Sequence, residues 1–136
     1  MTYEEWELKV PQEIKVDALW KMEAYRLALF LYDLAWEDCE RLMKDLRGRE
    51  VAKQLIRSAG SIAANIEEGF GRGFGKEYAY FLRVSLGSTR ETRGWYYRSR
   101  RLLRPTVVKH RIGLLSQITA LLVTAAHQQK KRSHQS

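Results

Sequence analysis

Met22, Tyr25, Leu29, Tyr32, Trp36, Cys39, Met43 and Leu46 follow one another at alternating steps of three and four residues. That is an unbroken heptad seam, and only a helix puts such positions on one side. Leu27, Leu31, Leu34 and Leu42 widen its apolar surface, while Arg26, Asp33, Glu37, Glu40 and Lys44 make a polar face. Asp17 is a good N-cap for this helix, and Gly48 suits its end.

Three more helices follow from the same pattern. The second runs from about Arg49 to Arg72, with an apolar stripe of Leu55, Ala59, Ile62, Ile66 and Phe70. Glycines at 71, 73 and 75 stop it. The third runs from Lys76 to about Leu103, and Pro105 ends it or starts the next. The fourth spans roughly Thr106 to Gln129, with Ile112, Leu115, Ile118, Leu122 and Ala125 on one stripe and Leu114, Leu121 and Ala126 around the side. Val, Ile and Thr are not gathered into alternating runs, so strands are unsupported. The expectation is an all-α protein, an antiparallel four-helix bundle of up-down-up-down order. It occupies residues 18–129, between an N-terminal arm (1–17) and a frayed, basic C-terminal tail (130–136). A helix apolar on two sides is buried on two sides, so the fourth is expected to carry a subunit interface.

Cys39 is alone among 136 residues. It can form no intramolecular disulfide, which suits a reducing compartment. The opening MTYEEWELKVPQ lacks the basic and apolar regions of a signal peptide. The longest uncharged run, Ile112 to Gln129, is interrupted by Ser116, Gln117, Thr119, Thr124, His127 and Gln128, and is too polar for a membrane span. A cytoplasmic protein with no membrane partner is expected.

The stretch SAGSIAANIEEGFGRGFGKEY, Ser58 to Tyr78, is unusual for a helix. Ser58, Ser61, Asn65, Glu68 and Arg72 form a polar stripe beside the apolar one. The third helix has a matching stripe of Phe81, Ser85, Ser88, Thr92, Trp95 and Ser99, with Gly87 alongside. Two such stripes face to face would make a structural polar core of Ser61, Asn65, Glu68, Arg72, Ser88 and Thr92. Asn65 and Glu68 would bond across to Ser88 or Thr92, and Glu68 would pair with Arg72 one turn on. Gly60 costs about 1 kcal/mol in a helix, which a close helix contact would offset.

Chemical sites are poorly supported by contrast. Glu67 and Glu68 are adjacent, so they point about 100° apart and do not converge. GFGRGFG follows a helix, whereas phosphate-binding glycine loops follow a strand. C-capping and turn chemistry explain it, with a non-specific nucleic-acid contact through Arg72 and free amides as the alternative. No Glu precedes a His by three residues, as di-iron bundles require, and His110, His127 and His134 lie away from carboxylate clusters. Cys39 reads as a small core residue. No catalytic residue, metal or cofactor is expected.

Charge is segregated along the chain. Met1 to Glu50 is net −4, whereas Phe70 to Arg111 holds 11 basic and 2 acidic residues. Segregated positive charge attracts polyanions. Arg83, Arg90, Arg93, Tyr97, Arg100, Arg101 and Arg104 fall along one side of the third helix, with Arg98 near the edge. Arginine forks suit phosphate oxygens, and Tyr97 could stack on an unpaired base. Trp95 and Tyr96 border the inward stripe and are expected to pack. Lys130, Lys131 and Arg132 add to the nucleic-acid-binding set. The competing expectation is that acidic residues from a neighbouring subunit's first helix neutralise these arginines.

RSAGSIAANIEEGFGR (Arg57–Arg72) together with FLRVSLGSTRET (Phe81–Thr92) resembles a known family. Its members are small four-helix-bundle proteins first noticed as reading frames in intervening sequences of bacterial large-subunit ribosomal RNA genes. The accessory variability proteins of diversity-generating retroelements are more distant relatives. The matching positions are Arg57, Ser61, Asn65, Ile66, Glu68, Gly69, Arg72, Phe81, Leu82, Gly87, Ser88 and Glu91, and LWKMEAYRLAL resembles the family's opening helix. The resemblance, over about Leu19 to Gln128, implies a homopentameric barrel without enzymatic activity. For the retroelement branch it implies binding to RNA or DNA and to a reverse transcriptase. After Glu91 the chain departs from the family's largely apolar and acidic helix with TRGWYYRSRRLLR, which favours a polyanion-binding role.

Overall fold

The computed structural model describes the backbone of residues 1–135 and the side chains of residues 1–132. Among the described residues there are six α-helices, one 3₁₀ turn and no strand. The helices are α1 (Tyr3–Leu8), α2 (Gln12–Lys15), α3 (Glu23–Leu42), α4 (Leu46–Gly71), α5 (Lys76–Arg98) and α6 (Pro105–Gln135). The four long ones pack together: α4 on α3 and α5, and α6 on α5 and α3. Leu31, Leu34, Leu55, Ile62, Ile66, Leu82, Leu115, Ile118 and Leu122 are fully buried between them. No helix among the described residues is long and apolar enough to cross a membrane.

The first long helix begins and ends elsewhere than expected. Asp17 caps the 3₁₀ turn Ala18–Lys21 by accepting from Leu19 N at 2.8 Å. The chain then re-enters helix at Glu23. At the other end Asp45 accepts from the amides of Arg47 (2.8 Å) and Gly48 (3.0 Å) and so starts α4. Gly48 is therefore not a terminator. It is buried inside α4, where a Cβ would fall 2.1 Å from Leu42 O and 2.8 Å from Leu102 Cδ1.

The buried face of α3 is also rotated from the heptad seam. Ala24, Leu27, Ala28, Leu31, Leu34, Ala35, Asp38 and Leu42 face the core. Of the eight seam residues only Tyr25 is fully buried, and Trp36 is 60 % exposed, Met43 46 % and Leu46 79 %. The alanines explain the rotation. They weigh little in an apolar pattern, yet small side chains let helices approach closely, so the alanine face wins the inside.

In α4 the stripe Leu55, Ala59, Ile62 and Ile66 is fully buried, but Phe70 lies at the exposed edge. The third long helix stops at Arg98, and the chain turns through residues 99–104 instead of running helical to Leu103. Pro105 opens α6 as its first residue, the position where a missing N–H costs nothing. That helix extends past Gln129 through Lys130, Lys131 and Arg132. On its second apolar side Leu114 and Ala126 are buried, and Ile112, Leu121 and Ala125 are partly buried against the core.

The N-terminal arm is anchored. Thr2 and Glu5 form a capping box on α1, and Trp6 is buried against Trp20 and Phe30. The Trp6 indole N–H donates to Asp33 at 2.7 Å.

Candidate nucleic-acid interface and the polar seam behind it

The two small, polar stripes of α4 and α5 do meet. Thr92 Oγ1 donates to Ser58 Oγ (2.8 Å), the Ser61 and Ser88 hydroxyls share a bond (2.8 Å), and Ser85 Oγ donates to Ile62 O (2.7 Å). The crossing bonds are hydroxyl bonds. Asn65 is half-buried and turns back on its own helix, donating to Ser61 O (2.8 Å) and Ser61 Oγ (2.9 Å). It reaches Ser88 only through Ser61, because the amide is one turn too far along α4. Glu68 and Arg72 are exposed and belong to the surface, not to the polar core. They do form the expected pair, at 2.8 Å, and Arg72 also reaches Glu77 at 2.9 Å. Gly60 admits Tyr32 of α3, not α5, and Gly87 has open space where a Cβ would sit. The close α4–α5 approach falls at Gly69, whose Cβ would lie 2.7 Å from Phe81 Cβ.

A buried cluster joins α3, α5 and α6 where sequence spacing gave no signal. Arg111 Nε donates to Asp38 Oδ2 at 2.8 Å and Nη2 to Oδ1 at 3.1 Å. The Tyr96 hydroxyl donates to the same Oδ2 at 2.7 Å. Burial first, then the charge of Asp38, pushes the Tyr96 hydroxyl far above its ordinary range. Burial, with the Arg111 charge behind it, pulls the neighbouring His110 below its ordinary value.

The basic face stands in front of this frame. Arg83, Arg90, Arg98, Arg100, Arg101, Arg104 and Tyr97 are exposed. Arg93 is half-buried and donates to Ser116 of α6 at 3.3 Å. The two carboxylates of this part of the chain are engaged elsewhere, Glu77 with Arg72 and Glu91 with Arg57. Arg111 is neutralised by Asp38. Among the described residues, Arg83, Arg90, Arg93, Arg98, Arg100, Arg101 and Arg104 make no ion pair. Trp95 and Tyr96 are packed as expected: Tyr96 is buried, and the half-buried Trp95 bonds Glu91 and lies under Arg98. Arg100 covers the Tyr97 ring at 4.1 Å from its centroid.

Lys130, Lys131 and Arg132 are exposed but stand apart from that group. Gly75 N donates to Gln129 Oε1 at 2.9 Å, so the end of α6 lies beside the GFGRGFG loop. At 1.5 Å per residue, Lys130 is about 40 Å along α6 from Arg104. In the loop Gly73 and Gly75 take φ of 94° and 89°, which only glycine adopts readily. The amides of Arg72, Gly73 and Gly75 are already bonded, which leaves little of a phosphate cradle.

Cys39 is half-buried, with its thiol 3.7 Å from Ala52 O, and burial pushes that thiol up to about 11. His110 and His127 are exposed, and the side chain of His134 lies outside the described residues. No group of three His, Cys, Asp or Glu among the described residues could hold a metal ion.

The family of 23S rRNA-intervening sequence proteins matches residues 20–123, and the chain belongs to that family. A comparison with curated proteins finds no match.

Proposed function

We propose that this chain is a non-enzymatic, nucleic-acid-binding accessory protein that assists a reverse transcriptase of the diversity-generating retroelement type by holding its RNA or DNA. The observation that carries the binding part is the set of seven arginines on and after α5 that make no ion pair among the described residues. Contacts to Ser116, Trp95 and Tyr97 orient some of these guanidiniums without neutralising them, and unneutralised guanidiniums fit phosphate oxygens. The reverse-transcriptase part rests on the resemblance of residues 57–72 and 81–92. The protein is read as cytoplasmic and as working without a cofactor.

The long helices are read as an up-down-up-down bundle. Contacts between α4 and α5 pair Ser58 with Thr92, Ser61 with Ser88 and Gly69 with Phe81. Numbers rise in one helix as they fall in the other. The same holds for Tyr25–Glu67, Tyr32–Gly60 and Cys39–Ala52 between α3 and α4.

Binding is tested by retention of labelled RNA and DNA across a salt series. The log of the binding constant should fall against log salt by about 0.7–0.9 per phosphate neutralised. Changing Arg90, Arg93, Arg100 and Arg101 together to glutamine should flatten that slope and leave helical content unchanged. No retention by the wild-type protein at low salt overturns the reading.

One observation favours a second reading, a ring-forming assembly protein whose charges serve oligomerisation alone. Trp36, Cys39, Met43, Ala52 and Ile56 line an apolar groove between α3 and α4 that no described residue covers. Here the quadruple change would break the oligomer instead of releasing RNA. A pentamer is the number that the family resemblance implies.

A further inference from the structure

Met1 to Glu50 is net acidic, but its positive charges are not spread evenly. Arg41, Lys44, Arg47 and Arg49 crowd the turn from α3 to α4, with Asp45 as the sole acid between 41 and 49. This turn touches the turn from α5 to α6. Arg41 Nε donates to Leu102 O at 2.9 Å, and Gly48 lies against the Leu102 side chain. The second turn brings Arg98, Arg100, Arg101 and Arg104, with Lys109 just inside α6 and no acid from 98 to 109. One end of the bundle therefore gathers nine basic residues and one acid from two stretches about fifty residues apart. Glu40 and Glu50 flank the patch, and Glu50 is paired with Lys53.

The way these side chains are held matters as much as their number. Arg41 bonds Leu102 O, Arg49 bonds Met43 O at 3.0 Å, and Arg100 bonds Tyr97 O at 3.1 Å. A carbonyl orients a guanidinium through one nitrogen without cancelling its charge, and the remaining N–H groups stay available. The one acid, Asp45, is engaged with the α4 amides and lies 3.6 Å from Arg47. Two helix N-termini and two C-termini meet at this end, so the helix dipoles largely offset and the side chains set the field. Tyr97, 56 % exposed and backed by Arg100, adds an aromatic face at the rim.

Resting on the nucleic-acid reading above, we infer that the binding surface is this end of the bundle and not the length of α5. Single-stranded nucleic acid crosses from one turn to the other, its phosphates on the arginines of both and one unpaired base on Tyr97. An aromatic platform beside a cationic track is the arrangement that suits single strands. The surface takes in Lys44, Arg47 and Arg49, which lie in the acidic part of the sequence, and leaves out Arg83 and Arg90.

The test compares two variants of the full chain against a short oligouridylate over a salt series. K44Q/R47Q/R49Q should lower the log–log salt slope by about 2, at about 0.7 per phosphate on a single strand. R83Q/R90Q should lower it by less per arginine removed, because those two lie along α5 and beyond the end surface. The reverse pattern, with the wild type still binding, overturns the end surface and leaves the general reading standing. Absence of binding by the wild type overturns both. If the triple variant melts early, R47Q alone should lower the slope by about 0.7, and no change on that variant counts against the surface. Tyr97→Ala should weaken the single strand more than a duplex of equal length, and an equal loss overturns the base contact. Retention by phosphatidylserine vesicles through the same residues, with none on oligouridylate, would make the partner a membrane surface and overturn the proposal.

Discussion

Arg111 grips Asp38 with two nitrogens, at 2.8 and 3.1 Å, across 73 residues of sequence, and both side chains are nearly sealed from water. With Tyr96 on the same carboxylate, the pair ties α3, α5 and α6 at one point. A buried ion pair is weak evidence of net stability, because desolvation offsets attraction, but removing one partner strands the other. Arg111→Met or Asp38→Leu alone should cost about 3–5 kcal/mol. The double replacement should recover part of that, because it removes the unpaired charge but leaves the buried Tyr96 hydroxyl without its acceptor. Urea unfolding of the three variants checks it, and a double variant as unstable as the singles would contradict it.

The glycines of the α4–α5 pair should respond in opposite directions. A methyl at Gly69 meets Phe81 Cβ at 2.7 Å and Tyr78 Cδ1 at 2.9 Å. The first of these cannot swing away, so the helices must part. Gly69→Ala should destabilise by about 1–3 kcal/mol. Gly87→Ala meets nothing and removes a helix-interior glycine, so it should stabilise by up to about 1 kcal/mol. Thermal melts of the two variants are the measurement.

These cases show which parts of the fold were legible. The stripes Ser58–Ser61 and Ser85–Ser88–Thr92 could be read because a local period carries them, and they do meet. The buried face of α3 could not, because α3 is apolar around much of its circumference and a period cannot choose among its faces. Asn65 shows the same limit at finer scale. Its stripe was readable, but whether its amide reaches across or back depends on where along α4 the hydroxyls of α5 fall. The Asp38–Arg111 pair left no trace at all, since nothing local marks one aspartate on α3 as facing inward. Of the basic surface, α5 was legible as a charge run, but its union with the α3–α4 turn exists only once the bundle closes.

Asp45 makes the α4 N-cap sensitive to acid. Its bonds from the amides of Gly48 and Arg47, with the Arg47 charge, hold the carboxyl below the ordinary aspartate range. A depressed folded value means that the contribution is full above the ordinary range and is lost as pH falls through the folded value. Asp45→Asn keeps a good cap but cannot titrate. Its melting temperature should therefore lie below that of the wild type at neutral pH and converge with it in acid. Asp45→Ala loses the cap itself and should melt lower than Asp45→Asn at neutral pH. Melting curves from neutral to acid pH decide it, and parallel curves for wild type and Asp45→Asn would remove the cap charge from the account.

Self-association should run through the α3–α4 groove more than through α6, where Leu114 and Ala126 are buried and Ile112, Leu121 and Ala125 are partly buried inside the chain. Trp36 presents 60 % of its surface there and Met43 46 %. Burying an aromatic of that size is worth about 2 kcal/mol or more per contact, enough to hold copies together at micromolar concentration when several contacts act at once. Light scattering should give a mass several times the 16.0 kDa of one chain, and Trp36→Glu should return it to that value with helicity intact. Cys39 reports on the same groove. Its thiol is pushed up to about 11, so it is protonated at neutral pH and gains thiolate only as pH rises toward that value. At a fixed pH of about 9, where the ordinary thiol is half ionised, alkylation of Cys39 should be slow in the wild type and faster in Trp36→Glu, because the groove has opened to solvent. Equal alkylation rates together with a wild-type mass of 16.0 kDa would show that nothing covers the groove.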